Sequence, residues 1–233
     1  MPHMPHMPKP TPTDILAYYE RLAPTYDVDR FQNSYGRHLH LQETRILREF
    51  LPAQSNIMDL GCGTGRFLEL ATAGTDLSPA MLEQARTHHP SHDLRLMSGQ
   101  ELPFENDAFD AAFSMHVFMH LDLATIQTLL KELHRVVRVG GHIVVDAPSL
   151  SRRRLTRTQP TGWHGATALD PGHLKGLAGP GWRMVADQGV LTLPVHRFPK
   201  WLRGPLLPAD EALSKSRLRR FSSYRLYKFQ RLM

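Results

Sequence analysis

The chain has 233 residues, is 41% hydrophobic and carries a formal net charge of +6; that length suits one large domain or a domain with a lid. No apolar run approaches the roughly 20 residues that cross a bilayer, and the N-terminus shows no apolar core of a secretory signal. A single cysteine, Cys62, excludes an internal disulfide and makes a reducing cytoplasm the expected compartment.

Residues 1–13, "MPHMPHMPKPTPT", form a Pro/His/Met repeat. Proline this dense blocks helix and sheet pairing, so a disordered tail is expected, and its loosely spaced histidines are not read as a metal site. From Asp14 a capped helix "ILAYYERLA" is expected, then a Tyr-, Arg- and Asp-rich stretch, then a helix over "LHLQETRILREFL" with apolar residues at Leu39, Leu41, Ile46, Leu47 and Leu51. Residues 14–55 read as an N-terminal helical lid. Residues 56–233 read as the core, with substrate-covering segments near 150–180 and 195–220.

Within the core, "NIMDL" is a buried strand entering a glycine turn. "RFLELAT" and "AGTD" follow, and then Ser78 and Pro79 begin a strong helix over "SPAMLEQARTHH". "LRLMSG" and "FDAAFSMHV" are strands, "LATIQTLLKELHRVVRVGG" is an amphipathic helix stopped by glycines, and "HIVVDAP" is a further strand. "GWRMVADQGVLTLP" and "SSYRLYKFQRL" read as two late strands without a clear helix between them, placed as an antiparallel hairpin at the sheet edge. Alternating strands and helices from Asn56 to Pro148 predict a doubly wound α/β fold with a mostly parallel sheet.

The charge is unevenly spread. From Lys215 onward there are seven Lys or Arg and no acid, and without them 21 bases face 22 acids. A near-neutral body with a basic C-terminal tail is expected, which weighs against nucleic-acid binding by the fold itself. Arg152, Arg153, Arg154 and Arg157 form a second cluster. Both clusters read first as solvated surface, with an anionic acceptor or peripheral membrane contact as their functional alternative.

The glycine turn decides the ligand class. Gly61, Gly63 and Gly65 are followed by Arg66, so the dinucleotide spacing G-x-G-x-x-G fails. Asp59-x-Gly61-x-Gly63-x-Gly65 resembles the first motif of the class I S-adenosylmethionine (SAM)-dependent methyltransferases, in their small-molecule type 11/25 branch. "GTDLSPAML", "SGQELPFENDAFDAAFSMHVFMHL" and "LLKELHRVVRVGGHIVV" resemble the later motifs in order. The resemblance implies a Rossmann-like, seven-stranded sheet with an antiparallel last strand. It implies SAM as donor and S-adenosylhomocysteine as product.

Carried over residue by residue, the resemblance assigns Asp59, Gly61, Cys62, Gly63 and Gly65 to the loop that passes the methionine and ribose. Asp76 accepts the ribose hydroxyls, a task that suits a carboxylate. Leu77 and Met81 pack the adenine, Gln100 and Glu101 lie at its edge, and Ser114 and Met115 offer carbonyls to the ammonium. Tyr26 and Arg30 cover the donor from the lid, Arg30 pairing with its carboxylate.

Asp76 arrives early after the last glycine. Matching a helix rise of about 1.5 Å against a strand rise of about 3.3 Å leaves roughly 7 helical and 3 to 4 extended residues. The expectation is therefore a two-turn helix over "RFLELAT", a minimal second strand, and Asp76 close to Gly61 and Gly63. His116, His120 and His164 are the candidate bases among 14 histidines. The favoured reading is methyl transfer to a small-molecule acceptor, with oxygen slightly preferred as the methylated atom. An RNA methyltransferase using the basic tail and an inactive SAM-binding regulatory protein are the alternatives.

Overall fold

The computed structural model describes residues 12–53, 55–97, 100–159 and 165–233. The N-terminal repeat, and Trp163 and His164 with it, lie outside the described residues. Seven strands form one sheet: β1 (Ile57–Leu60), β2 (Ala73–Asp76), β3 (Asp93–Leu96), β4 (Phe109–Ser114), β5 (Val137–Pro148), β6 (Trp182–Val190) and β7 (Tyr224–Arg231). Their order is β3-β2-β1-β4-β5-β7-β6. The first five run parallel, and β7 is antiparallel to both β5 and β6. The direction of the order reverses beside β1, which places a ligand crevice outside the carboxyl ends of β1 and β4.

The helices are α1 (Pro12–Leu22), α2 (Tyr26–Phe31), α3 (Ser34–Phe50), α4 (Pro79–His88), α5 (Leu123–Val136), α6 (Leu150–Thr156), α7 (Pro171–Ala178) and α8 (Lys200–Lys215). Side chains satisfy several of their first-turn N–H groups. Asn33 caps α3, Ser78 caps α4, Asp122 caps α5 and Asp170 caps α7, each accepting from a backbone N–H three residues on.

Three sequence expectations change. The crossover from β1 to β2 contains no α-helix; "RFLELAT" makes turns and a single 3-10 turn, Leu68–Leu70. The physical reason is length. Gly61–Gly65 consume the chain in i→i+3 turns such as Gly65 N–H to the Cys62 carbonyl, and Ala73 must already pair with Met58.

The face left bare is covered by α3. Leu39, Ile46, Leu47 and Phe50 bury in one cluster with Cys62, Phe67 and Leu68. The helix that reads as part of a lid thus buries one face in the core, and α1 and α2 lie over the glycine loop.

The basic C-terminal stretch is not a free tail. It folds into a 3-10 turn, Arg217–Phe221, and into β7, an interior strand with Leu226, Tyr227 and Phe229 fully buried. Arg219 and Arg225 both reach the Asp187 carboxylate, and Arg231 pairs with Asp107. The hairpin is present, but β7 lies inside the sheet and β6 forms the edge. Among the described residues no helix is long and apolar enough to cross a membrane.

Candidate functional site

The glycine loop is shaped by backbone bonds to β2. Gly61 and Cys62 N–H groups both donate to the Thr75 carbonyl, at 2.7 and 3.0 Å. Gly61 sits at φ +76°, and a Cβ there would meet Val117 Cγ2 at 2.3 Å, so only glycine fits. Asp76 ends β2 beside this loop. One oxygen accepts from Gly63 N–H and the other from Ser78 N–H, both at 2.9 Å. Burial raises the Asp76 pKa and those N–H groups oppose the rise.

Asp59, on β1, is 2% exposed. Burial, and then the neighbouring Asp76 carboxylate, push its pKa well above the usual carboxylate range. Among the described residues nothing donates to its carboxyl group or pairs with it, although buried polar groups are normally satisfied. Asp59 lines a cavity of about 40 Å³ together with Tyr26, Gly61, Arg66, Met115 and His116. A buried, unpartnered carboxyl facing a cavity is a receptor for a cation. It fits the ammonium that the expected donor carries, and Asp76 fits hydroxyls.

The lid is clamped down on this cavity. Glu20 on α1 accepts from Ser78 Oγ at 2.6 Å and from Ala80 N–H at 3.2 Å, at the N-terminus of α4. Asp27 on α2 accepts from Thr64 Oγ1 at 2.8 Å. Tyr19 Oη lies 3.1 Å from His120 Nε2. Burial pushes the phenols of Tyr19 and Tyr26 up, so both stay protonated.

The opposite wall joins α3, β4 and β5. His116 stands two residues past the end of β4 at φ +61°, a rare conformation for a residue with a side chain. Its backbone N–H donates to Asp146 Oδ1 at 2.7 Å. Its ring lies between two carboxylates, with Nε2 2.8 Å from Glu43 Oε1 and Nδ1 3.5 Å from Asp146 Oδ2. Burial lowers the His116 pKa, but Glu43 and Asp146 outweigh it, and the net direction is up. Glu43 is fully buried; burial raises its pKa, and His116 and Arg66 reverse that to a net fall. For Asp146 burial prevails over His116, and its pKa rises. Arg66 closes the cluster by pairing with Glu43, its guanidinium 3.9 Å from the Phe31 ring and 4.3 Å from that of Phe67.

The other predicted positions distribute as follows. Met115 is buried at the cavity wall, and Ser114 turns its hydroxyl to the Leu60 carbonyl at 2.9 Å. Met81 is buried in the first turn of α4, and Leu77 is 40% exposed beside Asp76. Gln100 and Glu101 are exposed, Gln100 reaching Thr125 Oγ1 at 3.4 Å. Gly65, at φ +94°, backs onto the His89 ring, and burial pushes the Cys62 thiol up, leaving it inert.

Arg30 faces outward. It donates to Tyr18 Oη at 3.2 Å and lies 5.9 Å from the Tyr26 ring centroid, while Arg66 is the guanidinium that reaches the cavity. His120 Nδ1 accepts from Gly165 N–H at 3.3 Å, so its proton resides on Nε2, directed at Tyr19. His164 lies outside the described residues.

Sequence reasoning missed Glu43, Arg66 and Asp146. Two of them carried a signal: Glu43 interrupts the apolar face of α3, and Asp146 interrupts the apolar run of β5. A charge on a face that must be buried requires a partner.

A family model described as a methyltransferase domain matches residues 58–145. The chain is 30% identical to demethylmenaquinone methyltransferase of Tropheryma whipplei, over 60% of this chain and 61% of that protein. It is 36% identical to tRNA (carboxymethyluridine(34)-5-O)-methyltransferase of Saccharomyces cerevisiae, over 46% of this chain and 43% of that protein. The matches span 43% to 61% of the length of these curated relatives. In fold it is similar to a SAM-dependent methyltransferase of Thermotoga maritima, a possible histamine N-methyltransferase. The TM-score is 0.68 at 18% identity, covering 93% of this chain and 99% of that one.

Proposed function

We propose, from the premise that this chain belongs to the class I SAM-dependent methyltransferases, that it transfers a methyl group from SAM to an oxygen of a small-molecule acceptor. The observation that carries the reading is Asp59: a buried carboxyl without a protein partner, facing a cavity beside Asp76, inside a methyltransferase domain. When bound, SAM supplies an activated methyl group. What the protein supplies is position, because the approach of the reacting atoms dominates such transfers.

Asp59 would hold the donor's ammonium and Asp76 its ribose hydroxyls. Gly61 and Gly63 let the backbone lie against the donor without a Cβ between them. With α1 and α2 docked, the cavity of about 40 Å³ is far below the roughly 300–1,000 Å³ of ligand pockets. Entry therefore requires the lid to lift, breaking the contacts of Glu20, Asp27 and Tyr19. Closure would then exclude water from the reacting centre.

The three histidines take different parts. His116, between two carboxylates, holds its proton firmly and suits a positioning role for the β4 end. Withdrawal of Tyr19 would bare His120 Nε2 toward an acceptor hydroxyl; for that nitrogen to take the hydroxyl proton, the ring must carry its own proton on Nδ1 and release the Gly165 N–H. His164 adjoins Gly165, which already bonds His120, and stays the third candidate.

A quinone-type acceptor draws on the demethylmenaquinone methyltransferase among the relatives. Titration calorimetry with SAM and S-adenosylhomocysteine tests the donor site: binding by the native chain, weakened in Asp59→Asn, is expected. Absence of binding would sink the reading. A second reading, methylation of RNA, draws on the tRNA-modifying relative. It predicts turnover on transcripts that outpaces turnover on quinols.

A further inference from the structure

The two arginine clusters stand far apart in the chain but fold into one surface. Helix α6 carries Arg154 and Leu155, followed by Arg157, and the 3-10 turn Arg217–Phe221 carries Arg217, Leu218 and Arg220. The two elements are tied together: Ser149 Oγ donates to the Arg220 carbonyl, and Arg152 Nη1 donates to the Phe221 carbonyl at 2.7 Å. Arg152 and Arg153 spend their guanidinium groups on backbone carbonyls and are structural. Arg154, Arg157, Arg217 and Arg220 are exposed, and none has an acidic partner among the described residues.

The acids packed nearby are already committed. Asp187 takes Arg219 and Arg225. Asp210 takes Leu193 N–H, Gln42 and His38. Glu211 takes Arg45 and Lys215. The positive charge of this surface is therefore uncompensated.

Apolar side chains stand among these charges. Leu155 is 65% exposed and Leu218 is 47% exposed. The location matters as well. Pro148 and Val190, the last residues of β5 and β6, both pair with Tyr224, so α6 and the 3-10 turn lie at the same end of the sheet as the cavity. The Tyr224 ring is itself 5.3 Å from that of His116.

We propose that this surface docks the enzyme on an anionic lipid bilayer. The arginines meet the headgroups, Leu155 and Leu218 enter the acyl boundary, and the cavity faces the membrane, from which a lipophilic acceptor can enter. Arginine interleaved with leucine is the composition of interfacial binding. RNA would call for exposed rings on which bases stack, whereas the ring within this patch, Phe221, is partly buried against Arg220, 4.7 Å from its guanidinium, and the exposed Trp201 stands at the opposite end of α8 from the 3-10 turn.

The test is flotation of the full chain with vesicles of phosphatidylcholine alone or with a quarter phosphatidylglycerol, with thermal melting of each variant to establish folding. Binding is expected on the anionic vesicles only, and to weaken as salt rises. Each arginine lost should cost about five-fold in affinity, so Arg154→Gln with Arg217→Gln should cost about 25-fold. Leu155→Ser with Leu218→Ser should weaken binding at least ten-fold while keeping the salt dependence. No binding to anionic vesicles at low salt overturns the proposal, as does binding to tRNA that displaces the vesicles. An unchanged affinity in the leucine variant overturns the insertion. Flotation needs no methyl donor, so its outcome is independent of the methyl-transfer reading.

Discussion

On the β1–β2 side of the cavity the loop is held by partners close in the chain. Gly63 and Asp76 are 13 residues apart, and the bonds run through backbone N–H groups. On the β4–β5 side, His116 meets Asp146 on β5 from 30 residues away and Glu43 from α3. The first side leaves a buried carboxyl open; the second packs two carboxylates, an imidazole and a guanidinium against one another. The difference separates a surface built to receive charge from one that has already neutralised it. An unpaired buried charge is costly in the free protein, and a ligand that pairs with it recovers that cost.

The largest effect should come from breaking the neutralised side. Glu43→Ala leaves His116 and Arg66 without their shared anion and should cost about 3–5 kcal/mol, read by denaturant unfolding. The same cluster sets a pH window. Glu43 has a lowered folded pKa, so its stabilisation is present above the ordinary carboxylate pKa and fades as pH falls through the folded one. His116 has a raised pKa, so its stabilisation is present below the ordinary histidine pKa of about 6.5 and fades as pH rises through the higher folded value. The gap in melting temperature between native protein and Glu43→Gln should be widest between these limits and narrow on either side. A gap independent of pH would show that the cluster does not titrate.

The receptive side should respond in the opposite sense. Asp59→Asn removes a buried carboxylate with no partner and should raise the melting temperature at neutral pH. It should also weaken SAM binding about 10- to 150-fold, the range of a charged hydrogen bond. A variant both less stable and unchanged in binding would erase the contrast between the two sides.

Next in size is Gly61→Ala. The left-handed backbone and the approach of Val117 should cost about 1–3 kcal/mol, measured by thermal unfolding. Smallest is Thr64→Val, which removes the bond to Asp27 and leaves the loop intact. It should loosen α2 by about 0.5–1.5 kcal/mol, seen as up to roughly tenfold faster association of S-adenosylhomocysteine in stopped flow.

The β1–β2 side was largely legible in the sequence, because glycines and the acids beside them act over a few residues. Asp76 could be brought back to the loop by counting rises along helix and strand, although the helix assumed in that count became a 3-10 turn. The β4–β5 side was not legible: His116 stood out as a histidine after a strand, and nothing local said that two carboxylates would clasp it. Glu43 lay inside a helix that reads as a lid because its amphipathic pattern says that one face is buried, not against what. Only the packing records what that face meets.

By itself the sequence determined the alternation of strands and helices, the glycine turn and the carboxylates that border it, since periodicity and backbone conformation are local properties. The tertiary structure decided that the basic stretch after Lys215 becomes an interior strand, that two arginine clusters share one face, and that His116 is already paired. The reason is that pairing, burial and charge compensation depend on which distant segments meet, and that is settled by the free energy of the whole packed chain rather than by any window of it.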